Sequence, residues 1–173
     1  MRRNVEIKAR VRDPDRFREA VAALADGPPV VLRQRDVFFA VPDGRLKLRR
    51  QDDGAELIAY RRPDTVGPRT SRYALHRVAD PDGLEAVLAA ALPVLGEVRK
   101  TRRLYRAGRT RIHLDEVAGL GCFMELEVVL ADDEDAAAGE AEAQRLAAAL
   151  GVAPDDAVAG AYLDLLRAGE GKG

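Results

Sequence analysis

The sequence predicts an α+β fold: eight short strands form an antiparallel barrel or sandwich, with helices packed outside it. Three observations carry that prediction. Strand-like segments recur at short spacing, most of them separated by tight-turn residues. Asp-Pro-Asp occurs twice, each time ahead of apolar residues at helical spacing. The chain has 173 residues, 47% of them hydrophobic, which excludes a disordered polymer. A chain of that length buries about 70% of its extended surface, enough for one core without staples. One domain is expected over residues 1–168, with 169–173 as a flexible tail.

Taken in order, Val5, Ile7, Ala9 and Val11 alternate with Glu6, Lys8, Arg10 and Arg12, the period-2 pattern of a strand. Asp13-Pro14-Asp15 starts a helix carrying Phe17, Val21 and Leu24, which Gly27-Pro28-Pro29 ends. Strands follow over 31–41, 45–50 and 56–62, separated by Pro42-Asp43-Gly44 and Asp52-Asp53-Gly54. A loop at 63–69 leads to a strand over 70–78. Asp80-Pro81-Asp82 then starts a second helix lined by Leu84, Val87, Leu88 and Leu92. Three more strands cover 97–106, 109–115 and 123–130. Two Ala-rich helices, 134–150 and 155–168, finish the chain. A strand, an Asp-Pro-Asp helix and several strands thus occur twice, a weak internal repeat.

The charges nearly cancel: 28 Lys and Arg against 29 Asp and Glu, net −1. That balance argues against a basic nucleic-acid binder. Met1 to Arg12 carries five cations without an apolar run, so it reads as a strand and not a secretory leader. No stretch approaches 18 apolar residues, so no membrane span is expected. Cys122 is the single cysteine, which excludes an intramolecular disulfide and fits a reducing, cytoplasmic setting.

Strand parity places Glu6, Lys8 and Arg10 on one face, Lys47 and Arg49 on one, and Lys100 and Arg102 on one. Arg111, His113 and Asp115 share a face opposite Ile112 and Leu114. Glu125 and Glu127 share a face opposite Met124, Leu126 and Val128. A solvated sheet face accounts for each strand alone. If the sheet closes, however, the rows converge on a charged lumen, which cannot be dry. Cations suit phosphate oxygens, and carboxylates suit hard divalent ions. A metal–polyphosphate site and mutual salt bridging both satisfy this pattern.

At these residues the chain resembles the CYTH family, the triphosphate tunnel metalloenzymes, which include class IV adenylyl cyclases, thiamine triphosphatases and inorganic triphosphatases. The family's Glu-x-Glu-x-Lys signature appears as Asn4-Val5-Glu6-Ile7-Lys8, with Asn4 in place of the first Glu. Asp36-Val37-Phe38-Phe39, Leu46-Lys47-Leu48-Arg49, Lys100-Thr101-Arg102, Arg111-Ile112-His113-Leu114-Asp115 and Glu125-Leu126-Glu127 follow in the family's order. The resemblance implies an eight-stranded antiparallel tunnel. It implies that Glu6, Asp115, Glu125 and Glu127 hold Mg²⁺ or Mn²⁺. It also implies that Lys8, Lys47, Arg49, Arg61, Lys100, Arg102 and Arg111 bind a triphosphate. Glu6, Lys8, Asp115, Glu125 and Glu127 are the expected catalytic set. The expected activity is metal-dependent hydrolysis of an organic or inorganic triphosphate. Conversion of ATP to cyclic AMP and pyrophosphate is the alternative, and a binding module without turnover, suggested by Asn4, is a third. The expected partner is a small-molecule triphosphate, with no nucleic acid or membrane, on a monomer or homodimer.

His113 lies between Arg111 and Asp115 in parity and reads as a supporting hydrogen-bonding residue. His76 reads as a surface residue and Cys122 as a small core residue. Tyr60, Tyr73, Phe38 and Phe39 read as packing, and Asp132 to Asp135 as helix N-terminal charge.

Overall fold

A computed structural model describes residues 1–170. In chain order the elements are β1 (Arg2–Arg10), α1 (Pro14–Leu24), β2 (Val30–Phe39), β3 (Arg45–Gln51), β4 (Gly54–Arg61), β5 (Arg69–Arg77), α2 (Pro81–Ala91), β6 (Val94–Ala107), β7 (Thr110–Val117), β8 (Gly121–Val129), α3 (Ala136–Ala149) and α4 (Tyr162–Glu170). The strands close an antiparallel barrel in the order β1-β5-β4-β3-β2-β6-β7-β8. Pairing of β1 with β8, from Asn4↔Val129 to Arg10↔Phe123, completes the circle. Closure leaves no unpaired sheet edge. The barrel expected from the sequence is therefore the fold, and closure settles the barrel-or-sandwich choice.

The internal repeat has a topological meaning. Each half is a strand, a helix and a three-strand meander: β1-α1-β2-β3-β4, then β5-α2-β6-β7-β8. The first strands of the halves pair with each other, β1 with β5, and so do the second strands, β2 with β6.

Local chemistry starts each helix. The Asp13 side chain accepts from the Arg16 N–H, and that of Asp80 from Gly83, with Pro next in both cases. Asp135 caps α3 by accepting from Ala137. The acidic run 132–135 thus ends in the cap, as expected, and Glu134 turns aside to pair with Arg109.

The hydrophobic core lies between the barrel wall and the helices. Val5, Ile7, Ile112, Leu114, Met124, Leu126 and Val128 point outward and meet Phe17 and Val21 of α1 and Ala143 of α3. Val37, Phe39 and Leu48 meet Leu84, Leu88 and Leu92 beneath α2. A separate cluster lies inside the barrel: Phe38, Val98, Val117 and Phe123 share the parity of the lumen residues and meet Tyr162 and Leu163 of α4 at one end. Each such large side chain contributes about 1.5–3 kcal/mol by leaving water. The residues that alternate with the outward-facing sets beneath α1, α2 and α3 are thereby left to face the barrel interior. Cys122 is half-buried at the start of β8, not a core residue as its apolar neighbours suggested.

The C-terminal segment departs from expectation. In place of one helix over 155–168 there is a short 3₁₀ turn at Pro154–Asp156, then extended chain, then α4. The Val158 N–H donates to the Lys8 carbonyl, and Ala157 bridges Ala9, so the segment is bound to the end of β1. Gly160 sits at φ +79, a left-handed turn that no helix interior contains. Helix α4 continues to Glu170, so the first two residues of the tail expected at 169–173 are helical; its remaining residues, 171–173, lie outside the described residues.

Candidate active site

The lumen is a cavity of about 600 Å³. Among the described residues, ten cationic side chains line it, against five carboxylates. Glu6, Lys8, Lys47, Arg49, Lys100, Arg102, Arg111, Glu125 and Glu127 all face it, as parity predicted. The Gly160–Tyr162 turn closes one end. The other end is rimmed by the exposed residues Arg2, His76, Arg77 and Arg106.

Two buried aspartates hold the cations at the closed end. Asp36 accepts a bidentate pair from Arg49, both at 2.7 Å, and a 2.8 Å bond from Lys47. Asp115 accepts from Arg102 at 2.7 and 2.6 Å, from Lys100 at 3.0 Å and from the Tyr162 hydroxyl at 2.9 Å. Burial works to raise both carboxyls, but the attraction of their cations wins and holds both well below the usual range. Asp115 is fully buried and sits behind Lys100 and Arg102, not on the lumen surface.

The lysines respond in the opposite sense. Burial, with repulsion from Arg49, brings Lys47 down to about 7. Burial brings Lys8 down to about 8 despite Glu125. Lys8 Nζ lies 3.2 Å from Glu125 Oε1, donates to the Gly160 carbonyl at 3.0 Å and sits 4.0 Å from the centre of the Tyr162 ring.

The acidic part of the site lies on adjacent strands. His113 is the cross-strand partner of Glu125, Arg111 of Glu127, and Glu6 of β1 faces Glu127 from the other side. One donor atom each from His113, Glu125 and Glu127 lie within 4.8 Å of one another. Among the described residues, Glu6 and Asp115 stand outside that group. Glu6 pairs with Arg62 at 2.6 Å, and burial raises its pKa even so. Burial alone would raise Glu125 and Glu127. Lys8 beside Glu125, with His113 and Arg111 beside Glu127, holds both below the ordinary carboxylate range. Burial and Arg102 lower His113, which leaves a neutral imidazole at neutral pH.

These residues fit a divalent ion. Two carboxylates and a neutral imidazole converge, and among the described residues His113 Nδ1 and Asn4 Oδ1, with Gln34 Oε1 and Arg62 Nε, are buried polar atoms of lumen-lining side chains without a hydrogen-bond partner. Unsatisfied buried polar atoms are rare and call for an occupant.

Arg61 is corrected. It points outward, is 65% exposed in its side chain and pairs with Asp43. Arg62 lines the lumen instead, because Glu56, Ile58, Tyr60 and Arg62 share the inward parity of β4 and its continuation. Tyr60 and Tyr73 also face the lumen, and His76 is exposed at the rim. Asp36 was legible only as part of a motif. Tyr162 carried no signal in the strand pattern, because a separate helix delivers it.

This geometry is that of a charged, closed β-tunnel, and comparison with known proteins assigns the class. The CYTH domain model matches residues 2–162, so the chain belongs to the CYTH domain family. It is 24% identical over 170 residues to a Methanocaldococcus jannaschii protein with a provisional adenylate cyclase name, covering 93% of this chain and 97% of the other. The fold is similar to that of the PH1012 protein of Pyrococcus horikoshii, with TM-score 0.83, 21% identity and coverage of 94% and 99%. It is also similar to HpAC1 of Hippeastrum, provisionally called an adenylyl cyclase and described as having a dominant triphosphatase activity. That match has TM-score 0.69, 17% identity and coverage of 96% of each chain.

Proposed function

We propose that this protein hydrolyses an organic triphosphate in its tunnel with the help of a divalent metal ion. The observation that carries the reading is the excess of cations over carboxylates on a cavity that also holds the His113, Glu125 and Glu127 cluster. Glu125 and Glu127 would hold the ion, with Glu6 beside them. Asp115 acts by aiming Lys100 and Arg102. A bound divalent ion supplies Lewis-acid polarisation of phosphoryl oxygens.

The chain's own residues supply the rest. Arg49, Arg102, Lys47 and Lys100 bind phosphate oxygens, and their aspartates fix their directions before substrate arrives. Arg111 and Arg62 extend the cationic wall. Lys8 Nζ, held 3.2 Å from Glu125 Oε1, adds a further cation once the bound anion favours its protonated form. Toward the exposed rim, Leu32, Leu75, Leu104 and Tyr73 also line the lumen. That apolar collar supports a substrate with an organic group over bare inorganic triphosphate.

The name of the Methanocaldococcus relative supports a second reading, cyclisation of ATP. The test is incubation with ATP, thiamine triphosphate and inorganic triphosphate plus Mg²⁺ or Mn²⁺, with product identification. A diphosphate plus orthophosphate is expected; cyclic AMP plus pyrophosphate selects the second reading. Glu127→Gln is expected to lower kcat/KM by at least about a hundredfold while keeping the thermal melt. Full metal-dependent turnover in that variant overturns the assignment.

A further inference from the structure

His113 is the one group in the acidic cluster with nothing to bond. Its Nδ1 is buried and without a hydrogen-bond partner, in a residue only 3% exposed. It faces Glu125 Oε2 at 3.6 Å and Glu127 Oε1 at 4.0 Å. Both distances are too long for a hydrogen bond. They suit two ligands of one cation: donors each about 2.1 Å from an ion lie between about 3.0 Å apart at right angles and about 4.2 Å opposed. The placement is built into the sheet, since His113 and Glu125 are register partners in the β7–β8 ladder.

The neighbours of the two carboxylates sharpen the point. Lys8 and Arg102 hold Glu125, and Arg111 holds Glu127 at 2.7 Å. Each carboxylate is therefore partly neutralised before any metal arrives, which weakens its pull on a hard ion. A neutral nitrogen donor adds a ligand without adding charge. Mg²⁺ keeps to oxygen ligands and water, whereas a transition-metal ion such as Mn²⁺ accepts an imidazole nitrogen more readily.

We propose that His113 is a metal ligand, completing the Glu125–Glu127 site through Nδ1 and biasing it toward Mn²⁺ over Mg²⁺. This rests on the reading that the tunnel holds a divalent ion. The rival account is that Nδ1 serves only to donate a hydrogen bond to Glu125 after a small shift.

The test uses the full chain, stripped of metal and without substrate. Calorimetry measures Mn²⁺ and Mg²⁺ affinity in wild type, His113→Asn and Glu127→Gln, and pulsed EPR records the Mn²⁺-loaded wild type. A directly coordinated ¹⁴N coupling is expected in the wild type. His113→Asn is expected to weaken Mn²⁺ by about tenfold or more while moving Mg²⁺ by less than about threefold. Absence of nitrogen coupling, or an unchanged Mn²⁺/Mg²⁺ ratio in His113→Asn, overturns the proposal; Mn²⁺ binding that Glu127→Gln still abolishes then leaves the metal reading standing. If the wild type binds no Mn²⁺, with or without inorganic triphosphate, the metal reading itself fails. The EPR arm needs no variant and so does not depend on how His113→Asn folds.

Discussion

Lys47 and Lys8 are cations that burial in the barrel shifts toward the neutral form. Burial lowers them to about 7 and about 8. A polyanion restores their charge by raising both pKa values, so binding must take up protons. The sign follows: affinity for inorganic triphosphate weakens as pH rises through 7 to 9, by up to about tenfold per unit for each lysine that must be recharged. Calorimetry at pH 8 in buffers of different ionisation enthalpy is expected to show net proton uptake. A flat affinity across that range, with no uptake, would mean that these lysines do not meet the anion. Asp36 and Asp115 behave differently, since each is held ionised by a bidentate arginine and a lysine. They keep Arg49 and Arg102 aimed at all working pH values.

At the scale of elements, helix α3 illustrates how the wall and its cover are matched. Gly139 lies where a Cβ would come 2.7 Å from Leu130 Cδ2 and 3.0 Å from Val5 Cγ2. The helix can approach β1 this closely only because that side chain is missing. Gly139→Val overpacks the contact and is expected to destabilise the protein by about 1–3 kcal/mol, read as a lower urea midpoint. Because Val5 points away from the lumen, kcat is expected to stay within about twofold. A variant as stable as wild type would show that α3 is free to shift. Helix α4 works on the other side of the same wall. It brings Tyr162 to Asp115 and against the edge of the Phe123 ring, with centroids 5.1 Å apart. The turn before it offers the Gly160 carbonyl to Lys8 and Arg62.

For the whole molecule, the arrangement of charge matters more than its total. The chain is net −1, yet among the described residues ten cations and five carboxylates line the lumen, so the rest of the chain is net negative. Repulsion inside the tunnel is a cost that an anionic ligand removes. Inorganic triphosphate at about a hundred times its Kd is expected to add about 2.7 kcal/mol of stability, a Tm increase of about 5–10 °C. Chloride at equal ionic strength is expected to leave the Tm unchanged to within about 1 °C. Equal shifts from the two salts would reduce the effect to general screening.

Much of this was legible in the chain because a strand alternates with period 2. Once Leu48 or Leu126 is assigned to a core, Lys47, Arg49, Glu125 and Glu127 must face the other way. The same rule, applied to β4, turns Arg61 outward and brings Arg62 to the lumen. Helix starts were equally legible, since Asp13 and Asp80 act on groups three residues away. The sequence by itself thus determined the strands, their two faces and the segregation of charge, because those follow from local geometry and alternation. Only the tertiary structure decided that the polar faces enclose a lumen, that Gly160 and Tyr162 cover one end, and that His113, Glu125 and Glu127 converge. Those outcomes depend on ring closure and on packing between residues far apart in sequence, which no local pattern encodes.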